Sequence, residues 1–383
     1  MPNPHRIKRA SVAVFFFVCG FITATWLSRL PELQQYFGMS NAQLGKLLLF
    51  FSAGSLLAMP FTGVLAVRFG SKNITKWGAL TTCVLMAFIP LFPSVLTLLP
   101  LFLSWGAMAG ALDVSMNGQA VMVEKLYGRP IMASFHALFS VGTAIGAATG
   151  AIFADYKIPF ATHFLFVTIF CFFAVVWATR YLLDDARKTT ESSSTPSAGI
   201  RLPTRAILPL GVIAFCGMSG ESCLLDWSAI YMHKIVGREV AFAAVALTAF
   251  TTAMTIGRFA GDFLTLKLGK RRLLLISSIV AFFGLSFSLI FLNSYAVLFG
   301  FFIVGLSLAS IVPIIYSTAG NTAGVLPSVG ISMATTIGYA GFFVSPPIIG
   351  YIADATNLRW GMGYTLILFL VMTVLVYFYR FKN

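Results

Sequence analysis

Residues 63–72 read Gly-Val-Leu-Ala-Val-Arg-Phe-Gly-Ser-Lys, and residues 262–271 read Asp-Phe-Leu-Thr-Leu-Lys-Leu-Gly-Lys-Arg. The two stretches share a leucine, a basic residue, a glycine and a second basic residue at the same spacing. They lie 199 residues apart, which is about half of the 383-residue chain. Each one follows a long apolar run. A basic-glycine-basic turn at the same place in each half indicates an internal duplication.

The composition is too apolar for a soluble domain. Hydrophobic residues make up 58% of the chain and charged residues only 10%, whereas a soluble domain keeps about a quarter of its residues charged. A helix that crosses a bilayer needs about 20 mostly apolar residues. The sequence divides into twelve apolar runs, at about residues 10–31, 41–67, 74–93, 95–123, 131–155, 160–182, 206–232, 240–266, 272–292, 294–320, 327–353 and 360–380. We predict an all-α integral membrane protein whose twelve transmembrane helices form two pseudo-symmetric six-helix bundles in a lipid bilayer.

Two local features qualify the helix assignment. Basic residues before the first run imitate a signal peptide, but the run continues past Trp26 without a small-residue cleavage site. We therefore interpret it as the first membrane helix. Internal prolines predict kinks at Pro60, at Pro313 and at the pair Pro346–Pro347.

The basic residues predict the orientation of the chain. The net charge is +14, but the cations stand between apolar runs and not on one face, which argues against a nucleic-acid partner. Of the 26 Lys and Arg residues, 19 fall on the side of the N-terminus and four on the opposite side. Positive charge concentrates on the cytoplasmic side of membrane proteins. Both termini are therefore predicted to be cytoplasmic.

A polar segment separates the two halves. Residues 183–205 are rich in Ser, Thr and charged residues, which is typical of a flexible linker. The sequence therefore predicts an N-terminal six-helix bundle at 1–182, a cytoplasmic linker at 183–205 and a C-terminal six-helix bundle at 206–383. Two such repeats around a midplane site are a recurrent plan among secondary transporters.

The chain lacks the motifs of common enzyme and metal sites. It contains no His-Glu-x-x-His, no phosphate-binding loop with Gly-Lys-Ser/Thr and no Gly-x-Ser-x-Gly. Its five cysteines all lie inside apolar runs, so we interpret them as small apolar residues and expect neither a disulfide framework nor a metal site. We predict that the protein is not an enzyme and needs no cofactor, so any uphill transport would use an ion gradient.

The first of the two turns resembles a known family signature. Residues 63–72 resemble the loop motif G-x-L-x-D-R-x-G-R-K of the major facilitator superfamily, with Val67 and Ser71 as departures. In that family the loop gates between inward-open and outward-open states. The resemblance implies gating roles for Arg68, Gly70, Lys72 and, as the charge set of the second half, Arg258 and Asp262.

A narrower resemblance covers most of the chain. It rests on Leu112–Asn117, Ser134–Gly142, Asp226–Tyr231 and Pro346–Asp354. These segments together resemble the YbjJ-like inner-membrane branch related to fucose permease, which implies a multi-pass monomer in the bacterial cytoplasmic membrane. Fucose permease carries an acidic residue on its first helix where this chain has Leu27, so the resemblance leaves the substrate open.

A comparison with drug/proton antiporters is less favourable. Those proteins carry an Arg on the fourth helix and G-x-x-x-G-P on the fifth. Here the fourth predicted helix has no Arg, and the fifth has Gly142-x-x-x-Gly146 followed by Ala147. The glycines of these helices, Gly106 and Gly110, and Gly142, Gly146 and Gly150, predict faces of close helix packing.

Three titratable residues are candidates for proton coupling. Burying a charge in mid-membrane costs about 2.5–3.5 kcal/mol on insertion scales, so such residues need a reason. Asp113 lies deep in the fourth predicted helix, with Asn117 on the same face at i+4 as a substrate contact. Glu221 lies mid-way along the seventh, and His136 near the cytoplasmic end of the fifth could relay a proton to Asp113. For each, a static hydrogen-bonded role is the alternative.

The candidate substrate contacts are one cation, one carboxylate and several aromatic residues. Arg29 could bind an anionic group or extend its charge to the membrane surface. Asp226 could gate with a basic partner such as Arg29, or be solvated at a cavity mouth. Rings that could stack on a sugar face are Trp26, Trp227, Tyr231 and Tyr339, of which we favour Trp227 and Tyr231 at i and i+4.

The sequence favours a secondary active transporter of a small polar solute, sugar-like or otherwise, that works by proton symport with alternating access. A proton-driven exporter is the alternative within transport. A solute sensor with a transporter fold, or a lipid flippase, is the alternative from another class.

Overall fold

The computed structural model describes residues 4–39, 41–185, 204–238 and 240–381, and within these ranges the chain is helical with short connections. Most of the predicted linker, residues 186–203, lies outside the described residues. The helices are α1 Pro4–Ser28, α2 Leu30–Tyr36, α3 Asn41–Phe69, α4 Ser71–Phe88, α5 Val95–Tyr127, α6 Met132–Asp155, α7 Phe160–Thr179, α8 Leu208–Lys234, α9 Val240–Leu268, α10 Lys270–Ile290, α11 Ser294–Leu308, α12 Ile311–Gly320, α13 Pro327–Ala355 and α14 Leu358–Phe378.

The helices confirm the predicted fold class. Eleven spans in the described part of the chain are long and apolar enough to cross a membrane, with α11 and α12 forming one of them, Ser294–Gly320. The remaining predicted crossing, at 240–266, forms the 29-residue helix α9. Large apolar side chains such as Phe173 and Phe283 are exposed on the surface, as a protein surrounded by lipid requires.

The chain divides into two compact units. The first unit comprises Met1–Gly128, Phe135–Leu202 and Ala323–Ser332, and the second unit comprises Arg129–Ser134, Pro203–Thr322 and Met333–Asn383. The bundle boundaries predicted at 182 and 206 stay predictions, because the chain between 186 and 203 is not described.

The two units repeat one packing scheme. In the first unit α3 and α4 pack on α5, and α1 and α4 pack on α7. In the second unit α9 and α10 pack on α11, and α8 and α10 pack on α14. Helices α3 and α9 each have 29 residues, and their first and last residues both differ by 199 in number. The predicted duplication thus extends to the ends of individual helices.

The backbone angles of the repeated turn explain why it contains glycine. Gly70 has φ +81° and ψ +140° before α4, and Gly269 has φ +79° and ψ +154° before α10. This region of backbone space is nearly closed to residues with a Cβ. The motif therefore needs glycine at both positions to join two antiparallel helices without a longer loop.

The prolines act differently from one another. Pro60 lies inside α3 and the pair Pro346–Pro347 inside α13, and both helices run through them. At Pro313 the helix is interrupted, because α11 ends at Leu308 and α12 begins at Ile311. Proline lacks an N–H and its ring clashes with the carbonyl four residues earlier, here Ala309, which accounts for the break at that point.

Glycines bring helix backbones together within the first unit, as the sequence predicts. A Cβ at Gly106 of α5 would lie 1.8 Å from the Phe51 carbonyl oxygen of α3, and one at Gly142 of α6 would lie 2.2 Å from the Phe17 carbonyl oxygen of α1. Any larger residue at either position would push the paired helices apart.

Candidate functional site

Asp113 and Asn117 form a contact on α5 in the first unit. The Asn117 Nδ2 donates to the backbone oxygen of Asp113 at 2.8 Å and to its carboxylate Oδ1 at 3.3 Å. Asn117 is fully buried, whereas Asp113 is partly exposed. The i, i+4 spacing read from the sequence therefore gives a membrane-embedded carboxylate held by an amide.

The other end of the Asn117 amide can accept a hydrogen bond. Its Oδ1 is buried and has no hydrogen-bond partner among the residues that the structure describes. A buried acceptor without a donor costs about 1–3 kcal/mol. Such a group is suited to a ligand that donates hydrogen bonds.

Residues of α1 lie near this part of α5, and α6 packs on α1. Cys19 of α1 is near enough to Asp113 for the two to interact electrostatically. His136 of α6 has its ring edge-on to Phe16 of α1, with 5.1 Å between the ring centroids. A proton relay between His136 and Asp113 stays a prediction.

Glu221 and Arg258 form an ion pair in the second unit. The Arg258 Nη2 donates to the Glu221 Oε1 at 3.3 Å between α9 and α8, and both side chains are mostly buried. The sequence pattern groups Arg258 with Asp262 as a gate and leaves Glu221 separate. The structure places Glu221 against Arg258, and a charge within a membrane needs such a nearby opposite charge. The grouping of Arg258 with Asp262 as a gate stays a prediction.

Asp262 holds the first turn of α6, and this contact lies within the second unit. Its Oδ1 accepts from the Ala133 N–H at 2.7 Å, and its Oδ2 accepts from the Ser134 N–H at 2.9 Å. The first N–H groups of a helix have no partner inside it, and its N-terminus carries partial positive charge. A carboxylate that accepts from two of them is a strong and breakable contact.

The predicted gating residues of the first turn lie between the last turn of α3 and the first turn of α4. Gly70 provides the turn, the Arg68 guanidinium lies 5.4 Å from the Phe69 ring centroid, and Lys72 is in the first turn of α4. Asp185, just after α7, accepts from the Ser71 N–H at 2.8 Å. This turn is therefore capped by a carboxylate of its own unit, while a gating function stays a prediction.

Arg29 is buried and makes hydrogen bonds that connect helix ends. It is 1% exposed and lies between α1 and α2. Its Nη1 donates to the Gly150 carbonyl, and its Nη2 donates to the Ile158 carbonyl and to Glu32. These bonds join the ends of α1 and α6 and the connection before α7. They favour a structural role for Arg29 over the predicted substrate contact.

The favoured aromatic pair of α8 separates into two environments. Tyr231 is fully buried, and its Oη donates to the Ser288 carbonyl at 3.2 Å. Its ring packs near Phe301, so the structure places it in helix packing and not at an accessible surface. Trp227 stays partly exposed beside Gly350 of α13. Near it, Asp226 is exposed and accepts from Ser222 at 2.8 Å.

The two remaining aromatic candidates differ in burial. Trp26 is 3% exposed and packs with Phe51, Phe102 and Trp105 in a four-ring cluster of the first unit. Tyr339 of α13 is partly exposed and has its ring near Phe342. Tyr339 therefore stays a candidate contact, whereas Trp26 belongs to the core.

A sequence comparison decides the family. The profile of the Major Facilitator Superfamily matches residues 11–325 and, in a second alignment, residues 210–383. The chain belongs to the major facilitator superfamily. The two overlapping alignments agree with the internal duplication seen in the helices.

Curated relatives within the superfamily cover nearly the whole chain. An uncharacterised major-facilitator-type transporter of Yersinia pestis is 31% identical over 97% of this chain and 95% of its own length. An uncharacterised transporter of Sinorhizobium fredii is 33% identical over 91% and 92%. The membrane protein MosC of Rhizobium meliloti is 32% identical over 98% and 90%.

Solved structures of the superfamily share the fold. The Escherichia coli fucose:proton symporter FucP, solved as a point variant, superposes with a TM-score of 0.84 at 17% identity over 99% of this chain and all of that one. The human organic anion transporter MFSD10 gives 0.79 at 14% identity over 98% of this chain and all of that one. At these identities the likeness concerns architecture alone.

Sequence reasoning missed three contacts of this facilitator. They are the Glu221–Arg258 ion pair, the hydrogen bonds from the first turn of α6 to Asp262, and the hydrogen bond from the start of α4 to Asp185. Each joins segments distant in sequence, and no motif names its partner. One signal was available for Asp262, because it stands 199 residues after Gly63, the first residue of the recognised loop motif.

Proposed function

We propose that this facilitator is a proton-coupled symporter of a small polar solute that works by alternating access. The Asp113–Asn117 contact carries the proposal. It provides a carboxylate that can hold a proton within the membrane and, beside it, a buried amide oxygen that can accept a hydrogen bond from a solute. A hydroxyl-rich solute, sugar-like or otherwise, meets this requirement.

Asp113 is the proposed proton carrier, because its carboxylate lies near the middle of the membrane-spanning helix α5. Protonation removes the cost of a buried charge, and deprotonation restores it. A proton that falls through 100 mV supplies about 2.3 kcal/mol, near a 50-fold solute ratio. In the second unit, Glu221 and Arg258 neutralise each other, so we assign them to solute binding and stability and not to the primary proton step.

The gate in this proposal is Asp262. Its bonds to the first turn of α6 would form in one state of the transport cycle and break in another. The Gly70 turn, with Arg68 and Lys72, would act as the rigid connector of the first unit. Both termini face the cytoplasm in this scheme, in a bacterial cytoplasmic membrane, and the protein acts as a monomer.

The substrate must be found before the mechanism can be tested. A thermal-shift screen of purified protein against a metabolite panel at two pH values should identify solutes that raise the unfolding temperature. Each hit is then tested in liposomes for uptake driven by an inward proton gradient.

The deciding variant is Asp113→Asn, which keeps the size of the side chain and removes its titration. Gradient-driven uptake should fall to the level of empty vesicles, while solute counterflow without a gradient should persist. Asp354→Asn, at an exposed position near the end of α13, is the matched control and should keep driven uptake. Driven uptake that survives in Asp113→Asn would contradict the coupling role.

The same vesicles separate the alternatives. An exporter that exchanges solute for protons should extrude preloaded solute under the inward proton gradient and accumulate solute when the gradient is reversed. A sensor should bind the solute in the thermal-shift assay without any flux.

A further inference from the structure

One end of the second unit carries a dense group of cations, which we call the basic surface. It is formed by the turn between α9 and α10 and by the last residues after α14. Its members are Lys267, Lys270, Arg271, Arg272 and Arg380.

Contacts within the unit bring these cations together. The Arg271 Nη2 donates to the Tyr377 carbonyl at 2.6 Å, and its guanidinium lies 5.5 Å from the centre of the Tyr377 ring. The start of α10 therefore lies against the end of α14, which brings Arg380 near the turn. Lys270 contacts Ser317 of α12 at 3.4 Å. Lys267, Arg272 and Arg380 are exposed.

The acidic side chains of the described second unit lie outside the basic surface. Glu221 binds Arg258, and Asp262 accepts from the first turn of α6. Asp226 and Asp354 lie near the last residues of α8 and α13, away from the basic surface. The Tyr379 Oη donates to the Ala206 carbonyl, so the start of α8, and not its end, lies beside the end of α14. The positive charge of the basic surface therefore exceeds what these carboxylates can balance from where they lie.

In the first unit, carboxylates of the same unit lie close to the equivalent turn. Its equivalent turn carries Arg68 and Lys72, and α7 is followed by Asp184 and Asp185, with Asp185 bound to the Ser71 N–H. After α14 the second unit has Tyr379 and Arg380, which the 199-residue offset aligns with Arg180 and Tyr181 of the first unit. Both units thus have an arginine just after this helix, and in the first unit two carboxylates follow it.

The depth of the basic surface identifies its partner. The span Lys270–Ile290 begins there, and the span Leu358–Phe378 ends there. Tyr377 and Phe378 are 58% and 75% exposed, as expected of aromatic residues at a membrane interface. Cations at this depth face lipid headgroups, and basic groups beside membrane helices attract anionic ones.

We propose that the basic surface binds the headgroup of an anionic phospholipid. The lipid phosphate would supply the negative charge that Asp184 and Asp185 supply in the first unit. In the proposed orientation the lipid belongs to the cytoplasmic leaflet, and the inference uses the proposed function only in that respect.

Native mass spectrometry of the purified full chain in a neutral detergent tests the proposal. Phosphatidylglycerol should remain bound in preference to phosphatidylcholine. The triple variant Lys267→Gln, Arg272→Gln, Arg380→Gln should weaken phosphatidylglycerol binding by roughly fivefold for each cation removed. The charge-matched variant Lys72→Gln, Lys76→Gln, Arg180→Gln in the first unit should keep it.

Equal retention of the two lipids, or equal losses in the two triple variants, would overturn the proposal. If the first variant fails to fold, the unaltered chain still decides the matter. Its phosphatidylglycerol binding should weaken as ionic strength rises, and binding that is independent of salt would also overturn it. Neither measurement involves transport, so its outcome is separate from that of the proton-coupling test.

Discussion

Residues 63 and 262 are equivalent positions of the two halves, and they hold helix ends in different ways. In the second unit, Asp262 of α9 accepts two backbone N–H groups at the start of α6. In the first unit, Gly63 of α3 leaves room for Ser332 of α13, whose Oγ donates to the Met59 carbonyl at 2.6 Å. Ser332 is in turn 199 residues after Ala133.

Two equivalent positions of a duplicated fold can therefore form contacts of different chemistry. One contact depends on a charge next to a helix N-terminus, which responds to protonation and to substitution. The other depends on a missing side chain and a hydroxyl, which respond to neither charge nor pH. A transport cycle that breaks one contact and keeps the other would therefore use Asp262 as the variable partner.

The largest effect is expected for Asp262→Ala. The change should lower the free energy of unfolding by about 3 kcal/mol, because two charge-assisted bonds are lost and two N–H groups are left without acceptors. Denaturant titration in detergent micelles, followed by tryptophan fluorescence, measures the loss. Asp262→Asn keeps one acceptor and should lose about half as much. Equal losses in the two variants would contradict the two-bond account.

The next effect tests whether the two turns are truly alike. Gly70→Ala and Gly269→Ala should each cost about 2 kcal/mol, because both glycines have backbone angles nearly closed to other residues. The same titration should give two losses that agree within about 0.5 kcal/mol, and the double variant should lose their sum within a similar margin, as expected of distant sites. A large loss at one turn alone would break the equivalence.

A smaller effect is expected at the neutral contact. In Gly63→Ala the new Cβ would lie 2.8 Å from the Ser332 Cβ, and such overpacking should cost about 1.5 kcal/mol. Gly118→Ala on α5 is the control, because its nearest neighbour would be 3.9 Å away. That control should leave the thermal midpoint unchanged or raise it slightly, since alanine favours helices. Tolerance of both changes would mean that Gly63 is not a close-packing position.

The smallest effect concerns the cap of α4. Asp185→Ala removes the acceptor of the Ser71 N–H and should cost about 1 kcal/mol. Arg380→Ala, after α14, is the control and should alter the free energy of unfolding by less than about 0.5 kcal/mol, because its side chain is exposed. A larger loss at Arg380 than at Asp185 would contradict the capping role of Asp185.

The fold was accessible from the sequence because its causes are local. Apolar length predicts each crossing, and the glycine of the repeated turn predicts its position and its equivalent 199 residues later. The Asp113–Asn117 contact was predictable for the same reason, since one turn of helix separates the two residues. The break before Pro313 needed the structure to distinguish it from the continuous helices at Pro60 and Pro346.

The rest of the site depends on which helix faces which. Arg258 has a carboxylate one turn away at Asp262, and the fold brings a second one, Glu221, from another helix. The sequence leaves Arg29 able to bind an anion, whereas the fold brings the carbonyls of Gly150 and Ile158 beside it. Spacing along one helix contains no information about such neighbours.

The four-ring cluster of the first unit has an optical consequence. Trp26 and Trp105 are buried with 5.3 Å between their ring centroids, whereas Trp77, Trp177 and Trp360 are exposed. Lipids with brominated acyl chains quench the fluorescence of tryptophans that they contact. They should therefore quench the exposed tryptophans and leave the emission of the buried Trp26 and Trp105. In a Trp227→Phe variant, which removes the partly exposed indole of α8, the emission that survives then reports on the interior of the first unit without any added dye.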